Sequence, residues 1–412
     1  MRQALAPLRE RNFAWFFASQ FVNITGSMMA GIALAFAILE ISDSASAIGQ
    51  VLAARTIPMV LFLLWGGVIA DRISRTLIVR TSNLLSAVTQ GTVAYLVLSG
   101  QAELWMIIVL EAINGTTAAV SLPAMDGMVP QLVPREQLQP ANVLLSMSRS
   151  VLSIVGPSTA AILVVTVGPG WALAVDASTW LVAALLMAKV KIPAREPREG
   201  ALKPSTLHEL REGWQLFVGT RWLWIVVTAF CVLNAIMVGA LFTLGPALAN
   251  RSIGADGWGY ALSAQAVGLL AMTLVLLRVS IRRPLLSGMI GVSLVSVPLV
   301  MYGLDPAVVP LVVAMFVAGG GIQAFNIGWD LAMQENIDES LLSRAYSYDA
   351  VGSFVAMPVG QLIYGPLGDT FGYRDVFVVS GIVYAAVCAM TLSSGSVRQL
   401  RRTAAAEQAT AD

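Results

Sequence analysis

The sequence predicts an all-α integral membrane protein whose twelve transmembrane helices form two six-helix bundles. Three observations carry this. Of 412 residues, 57% are hydrophobic and only 12% charged, against about 25% charged in soluble domains. Twelve apolar runs are each long enough to cross ~30 Å of hydrocarbon, which takes about 20 residues. A polar stretch from Lys189 to Thr220 cuts those runs into two sets of six. The same composition excludes other classes. Lys and Arg total 25 against 24 Asp and Glu, a net charge of +1, so no polybasic surface for nucleic acid is present. Cys231 and Cys388 lie inside apolar runs and His208 is the single histidine. No disulfide framework, metal cluster or cofactor site is therefore expected, and no nucleophile–base constellation marks an enzyme.

Taken in order, the runs of the first set are 13–39, 46–70, 76–99, 103–125, 141–167 and 170–188. Those of the second are 221–250, 258–280, 285–303, 307–334, 345–367 and 372–395. Most connections are short and carry Gly, Pro or Asp, which end helices. The expected division is a bundle at 1–188, a linker at 189–220, a bundle at 221–395 and a tail at 396–412. The first run follows Arg2, Arg9 and Arg11 as a signal peptide would. It is about 27 residues long with no small-residue cleavage site, so it reads as a retained helix. In the linker, Pro193, Pro197 and Pro204 precede Thr206-Leu-His208-Glu209, a capping box. Leu207, Leu210, Trp214 and Phe217 then recur at helical spacing, as in an amphipathic helix lying on a membrane surface. His208 falls on its solvated face.

Positive charge sets the orientation. With the N-terminus cytoplasmic, 21 basic residues fall on inner segments and only Arg251 and Arg374 on outer loops. Both termini and the linker are thus expected inside a cell membrane. The halves also repeat weakly. Gly156 and Gly168 match Gly360 and Gly372 at a shift of 204, and Gly49, Arg55 and Arg72 match Gly259, Gln265 and Arg282 at 210. Asn23 and Asn234 sit at matching depths. Parallel repeats place a substrate site near the midplane.

The loop after the second run reads Gly67-Val-Ile-Ala-Asp71-Arg72-Ile-Ser74-Arg75. It resembles the G-x-x-x-D-R-x-G-R signature of the major facilitator superfamily, with Ser74 replacing the second glycine. The resemblance implies a cytoplasmic latch of Gly67, Asp71, Arg72 and Arg75, with Asp126 as partner for Arg75; the same charges also serve as a topology signal. Gly156-Pro157-Ser-Thr-Ala160-Ala161 resembles the family's antiporter motif, with Ala for both final glycines. A Gly-Pro step equally makes an ordinary packing kink. Leu132-Val-Pro134-Arg135-Glu136-Gln137-Leu138 and Gly365-Pro-Leu-Gly368-Asp369-Thr-Phe-Gly372 resemble loops of the enterobactin-exporter and macrolide-efflux branch. The fold implied is the major facilitator fold across essentially the whole chain.

Charges inside spans are expensive and mark candidate sites. Arg55, Glu111, Arg149 and Asp349 lie deep, whereas Glu40, Asp176 and Asp330 fall near predicted ends and are expected to face water. Glu111 stands four residues before Gly115, where the family's usual signature has an arginine, and Gly26-Ser27 stands where some relatives have Gly-Asp. Glu111 and Asp349 are the proton-coupling candidates. Arg55, Arg149, Asn23, Asn114, Asn234, Gln265, Gln323 and Asn326 are the candidates for a substrate cavity. Structural ion bridges between the deep charges are the competing account. The resemblance implies a monomeric exporter of an amphipathic small molecule, such as a drug, natural product or siderophore, working by proton antiport. A lipid flippase and a non-transporting receptor or scaffold stay open as alternatives. No G-x-x-x-x-G-K-[ST] loop for ATP is present. The orientation predicts that an impermeant thiol reagent on intact cells labels a cysteine placed at Asp256 and misses one placed at Ser205. The reverse pattern would invert every assignment of inside and outside.

Overall fold

The computed structural model describes residues 6–126, 128–134, 137–191, 214–276, 279, 281–304, 307–337 and 339–401. Among them no strand occurs. The helices are α1 (Arg11–Ile41), α2 (Ala45–Arg72), α3 (Arg75–Leu98), α4 (Leu104–Asp126), α5 (Leu138–Val167) and α6 (Pro169–Met187), followed by α7 (Arg221–Asn250), α8 (Gly254–Leu276), α9 (Pro284–Leu304), α10 (Val308–Asn336), α11 (Glu339–Phe371) and α12 (Tyr373–Ser393). The hydropathy reading placed these helices to within a few residues, apart from α11, which begins six residues before its apolar run. Two irregularities have proline as their cause. Pro246 offers no N–H to the carbonyl four residues back, and α7 widens to a π-helix over Val238–Leu244. Pro298 does the same to Leu294, where α9 breaks between Ser293 and Ser296.

Among the described residues, ten helices are long and apolar enough to cross a membrane by length and composition. The two others, α3 and α11, are 24 and 33 residues long and more polar. In α3 most of the polarity is on one side. Ser82, Asn83, Ser86, Thr89 and Gln90 are buried against α4 and α6, while Leu77, Leu84, Leu85, Val88 and Tyr95 are exposed. This is the reverse of a soluble amphipathic helix. Isolated hydroxyls solve the same problem locally: Thr25, Thr56, Thr81, Thr92 and Thr116 each donate to the carbonyl four residues back.

By packing, the chain divides into two compact units, Met1–Glu196 with Gly245–Ser263, and Pro197–Leu244 with Ala264–Asp412. In the first unit α1 and α3 pack on α6, and α2 packs on α4. Phe13, Phe16, Val79, Met128, Leu132 and Met187 form the core at one end. Asn12 ties that end together, donating to the Lys191 carbonyl at 2.9 Å and accepting from the Lys191 N–H at 3.2 Å. The Gly245–Ser263 hairpin joins this unit through a Ser158–Ser263 hydroxyl contact of 2.8 Å and an Arg251–Asp43 ion pair of 3.2 Å. In the second unit α9 packs on α10 and α12, and α7 on α11. The described end of the linker helix, 214–219, stacks Phe217 on Tyr348 of α11 with ring centres 5.8 Å apart. The capping box at Thr206 and the residues up to 213 lie outside the described residues.

One helix crossing occurs in both units. Gly115 of α4 meets the backbone of α2 at Arg55, and Gly319 of α10 meets the backbone of α8 at Gln265. A β-carbon at either glycine would collide with the facing carbonyl. The weak sequence repeat is therefore a repeat of packing. Gly168 and Gly372, which precede α6 and α12, likewise share φ values of 90° and 89°, open to glycine and strained for other residues. Gly115→Ala should destabilise the purified protein by about 1–3 kcal/mol, the usual effect of overpacking, seen as a lowered Tm. Gly31→Ala, where nothing lies near the added carbon, is the control that should not lower it.

Candidate functional site

The polar faces of the first unit converge on a cavity of about 250 Å³. Its wall comprises Asn23 and Ser27 of α1, Arg55 and Met59 of α2, Ser82, Asn83 and Ser86 of α3, Asn114, Thr117, Ala118, Ser121, Leu122 and Met125 of α4, and Trp180 of α6. Three of the residues expected in a substrate cavity, Asn23, Arg55 and Asn114, are thus brought together. Arg149 is exposed on α5 and is not part of that wall.

Glu111 lies behind the wall with no solvent exposure. It is seven residues into α4, about 10 Å along the axis at 1.5 Å per residue. Its Oε1 accepts from Gln90 Nε2 at 2.9 Å, and its Oε2 stands 3.7 Å from Arg55 Nη1. The Arg55 side chain is 35% exposed, so its guanidinium touches both the buried acid and the cavity. The Gly115 crossing makes this geometry possible. It brings the α2 backbone at Arg55 onto α4 one turn from Glu111, and Asn114, which accepts from Thr89 Oγ1 at 3.2 Å, fixes the next position.

Sequence reasoning placed Asp176 in water, and the structure corrects this: Asp176 is completely buried. The apparent end position was misleading because α6 has only 19 residues, so the eighth is already near its middle. Gly26 of α1 presses against the carboxyl and against Thr179. Glu40 and Asp330, by contrast, are exposed as expected.

In the second unit Asp349 of α11 is half-buried and its Oδ2 accepts from Trp329 Nε1 at 3.1 Å. Trp329 belongs to an aromatic stack with Phe325, Phe230 and Trp222, which the sequence reading did not anticipate because its members come from two helices. Asn234, Gln265 and Gln323 are half-buried on α7, α8 and α10, and Asn326 is exposed. Gly156 is buried against Met28 of α1, and the Pro157 carbonyl faces Gly259 of α8. Of the expected latch, Arg75 is half-buried at the start of α3. The side chains of Asp71, Arg72 and Asp126, and the surroundings of Gly67, lie outside the described residues, as do Arg135 and Glu136. Among the described residues no cluster of His, Cys, Asp and Glu could hold a metal ion.

The comparisons with known proteins agree with this architecture. Macrolide efflux protein A of Streptococcus pyogenes is 24% identical over 394 residues, covering 92% of this chain and 95% of the relative. Enterobactin exporter EntS of Escherichia coli is 23% identical over 359 residues, covering 85% and 84%. The crystal structure of the nucleoside transporter NupG superposes with a TM-score of 0.69 at 14% identity, over 93% of this chain and 98% of that one, a likeness of fold alone. The Major Facilitator Superfamily model matches residues 16–357. The chain is a multi-pass membrane transporter, not an enzyme, and it belongs to the major facilitator superfamily.

Proposed function

We propose that this transporter exports an amphipathic small molecule, a drug-like natural product or siderophore, by alternating access driven by inward proton flow. The observation that carries the reading is the cavity of the first unit, where Arg55 joins a polar wall to the buried Glu111. At about 250 Å³ it is smaller than a typical drug pocket of roughly 300–1,000 Å³. It suits the polar end of a larger molecule, with Met59, Leu122, Met125 and Trp180 for the adjoining apolar part. The similarity to macrolide efflux and enterobactin export proteins supports the outward direction. In this reading the bundles at 1–188 and 221–395 exchange access to the two sides, and both termini are cytoplasmic.

Proton coupling needs a carboxyl that is alternately loaded and emptied. Glu111 in the first unit and Asp349 in the second are the carboxyls that the sequence nominates for this role. In energised cells loaded with ethidium, wild type should lower the dye below its equilibrium level, and an uncoupler should abolish the difference. Glu111→Gln should lose this uphill export while allowing downhill exchange. Uphill export retained in Glu111→Gln would move the role away from Glu111, and retained in the double variant with Asp349→Asn it would take the role from both of these carboxyls. Loss of an effect on dye together with movement of labelled lysophospholipid would replace the reading by lipid flipping.

The latch is a separate part of the proposal. Asp71, at the end of α2, would accept backbone N–H bonds at a helix start when the inner side closes. Asp71→Asn and Arg75→Ala should each reduce export several-fold with membrane insertion unchanged, since exchange needs both states to be reachable. Wild-type rates in both would leave these residues a role in topology alone.

A further inference from the structure

We propose that Asp176 of α6 holds the transported proton, with Glu111 and Arg55 forming the fixed half of the same site. This rests on the proton-coupled reading above and names a residue that reading does not include. Asp176 is fully buried, and neither carboxyl oxygen has a hydrogen-bond partner. Trp180, one turn further on, is near but outside hydrogen-bond geometry. Burying an ionised carboxylate without partners is prohibitive, whereas the acid form is neutral.

Charge counting gives the same answer. Glu111 and Asp176 are both buried carboxyls, and the one cation at this level, Arg55, stands 3.7 Å from Glu111 and lines the cavity together with Trp180, one turn from Asp176. With both ionised the cluster carries an uncompensated negative charge, and with one proton it is neutral. Glu111 has the better claim to the guanidinium and also receives the Gln90 amide, so the proton falls to Asp176. The helices packed on α6 add no further charge at this level. Their ionisable residues among those described are Arg11 and Glu40 of α1, Arg75, Arg80 and Tyr95 of α3, and Arg149 of α5. Arg75 sits at the first residue of α3, and the others are exposed.

The repeat separates function from folding. Asp176 lies eight residues after Gly168, and the residue eight after Gly372 is Ser380, also buried. Glu111 lies four before Gly115, and the residue four before Gly319 is Met315, with no exposure. Arg55 faces Gly115 where Gln265 faces Gly319. The second unit makes the same crossing with serine, methionine and glutamine, so the fold does not require the three charges. A metal cation is a poor occupant. Hard cations gather several oxygen ligands at more than 2 Å, and Gly26 closes directly on the carboxyl. A proton needs no such space.

The test uses infrared difference spectroscopy on the purified full-length protein at neutral pH, where a protonated carboxyl gives its own C=O band. Wild type should show the band and Asp176→Asn should lose it. A band that survives Asp176→Asn overturns the proposal. The second arm is ethidium export in proteoliposomes driven by an imposed pH gradient. Asp176→Asn should accumulate dye no better than protein-free vesicles, and uphill export at the wild-type level would overturn the role in transport. Asp176→Ser, which copies Ser380, is the second variant. If it and Asp176→Asn both fail to insert, the acid is structural and the proposal falls. If wild type itself shows no gradient-driven export, the coupling reading fails, while the infrared result still decides where the proton sits.

Discussion

A side chain that can donate or accept hydrogen bonds has no partner in hydrocarbon, so in a membrane helix it must turn toward protein. The first unit is organised by that constraint. On α3 it directs Ser82, Asn83, Ser86, Thr89 and Gln90 inward and leaves leucines and a valine outside. Where that polar stripe meets the polar sides of α1 and α4, the interior cannot fill with apolar groups, and the cavity is the result. Gln90 and Asn114, which belong to the stripe and its opposite wall, bond Glu111 and Thr89. The cavity wall and the support of the buried acid thus come from the same helices, α3 and α4.

The glycine crossings determine how close that set can come. Helices with side chains at the contact stay 8–10 Å apart; at Gly115 the α4 backbone reaches the α2 carbonyl at Arg55. This places a guanidinium beside an acid from the next helix without either side chain having to extend. The second unit has the same approach at Gly319 with Met315 in the acid's place. Replacing buried ionic groups by well-packed apolar ones is often neutral or stabilising, so Met315 is the choice packing alone would make. Glu111, Arg55 and Asp176 depart from it in the unit that holds the polar cavity.

Much of this was legible in the sequence. Length and hydropathy gave all twelve helices, because a span needs a number of residues fixed by the bilayer. The repeat was visible in Gly168 and Gly372, since only a backbone requirement for positive φ makes those positions glycine. Arg55, Glu111 and Asn114 were found because a polar residue deep in an apolar run has few explanations. Asp176 was missed because depth was judged from run ends, and burial depends on what packs alongside: here Gly26, 150 residues earlier in the chain. Pairing was also beyond the sequence. Arg149 was the cation the sequence offered to Glu111 or Asp349, and the Gly115 contact instead brings α2 and its Arg55 next to α4. The aromatic stack around Trp329 was hidden for the same reason, since its rings come from α7 and α10.

The proposed exchange would need one group that senses both ligands, and Arg55 is placed to do so, between the cavity and the buried Glu111. Its side chain is 35% exposed, whereas the acid it faces has no exposure. Water reaching the exposed part of the guanidinium would screen it and weaken its hold on Glu111 across 3.7 Å. A molecule that fills the cavity removes that water, and the attraction between the two charges grows as the local dielectric falls. The same dehydration makes any unpaired charge nearby more costly. The protonation energy of Asp176 would then, on the proposed assignment, change with what the cavity holds. On the proposed reading, coupling between cargo and proton would need no moving relay in this unit, because the cavity wall and the buried Glu111 share Arg55.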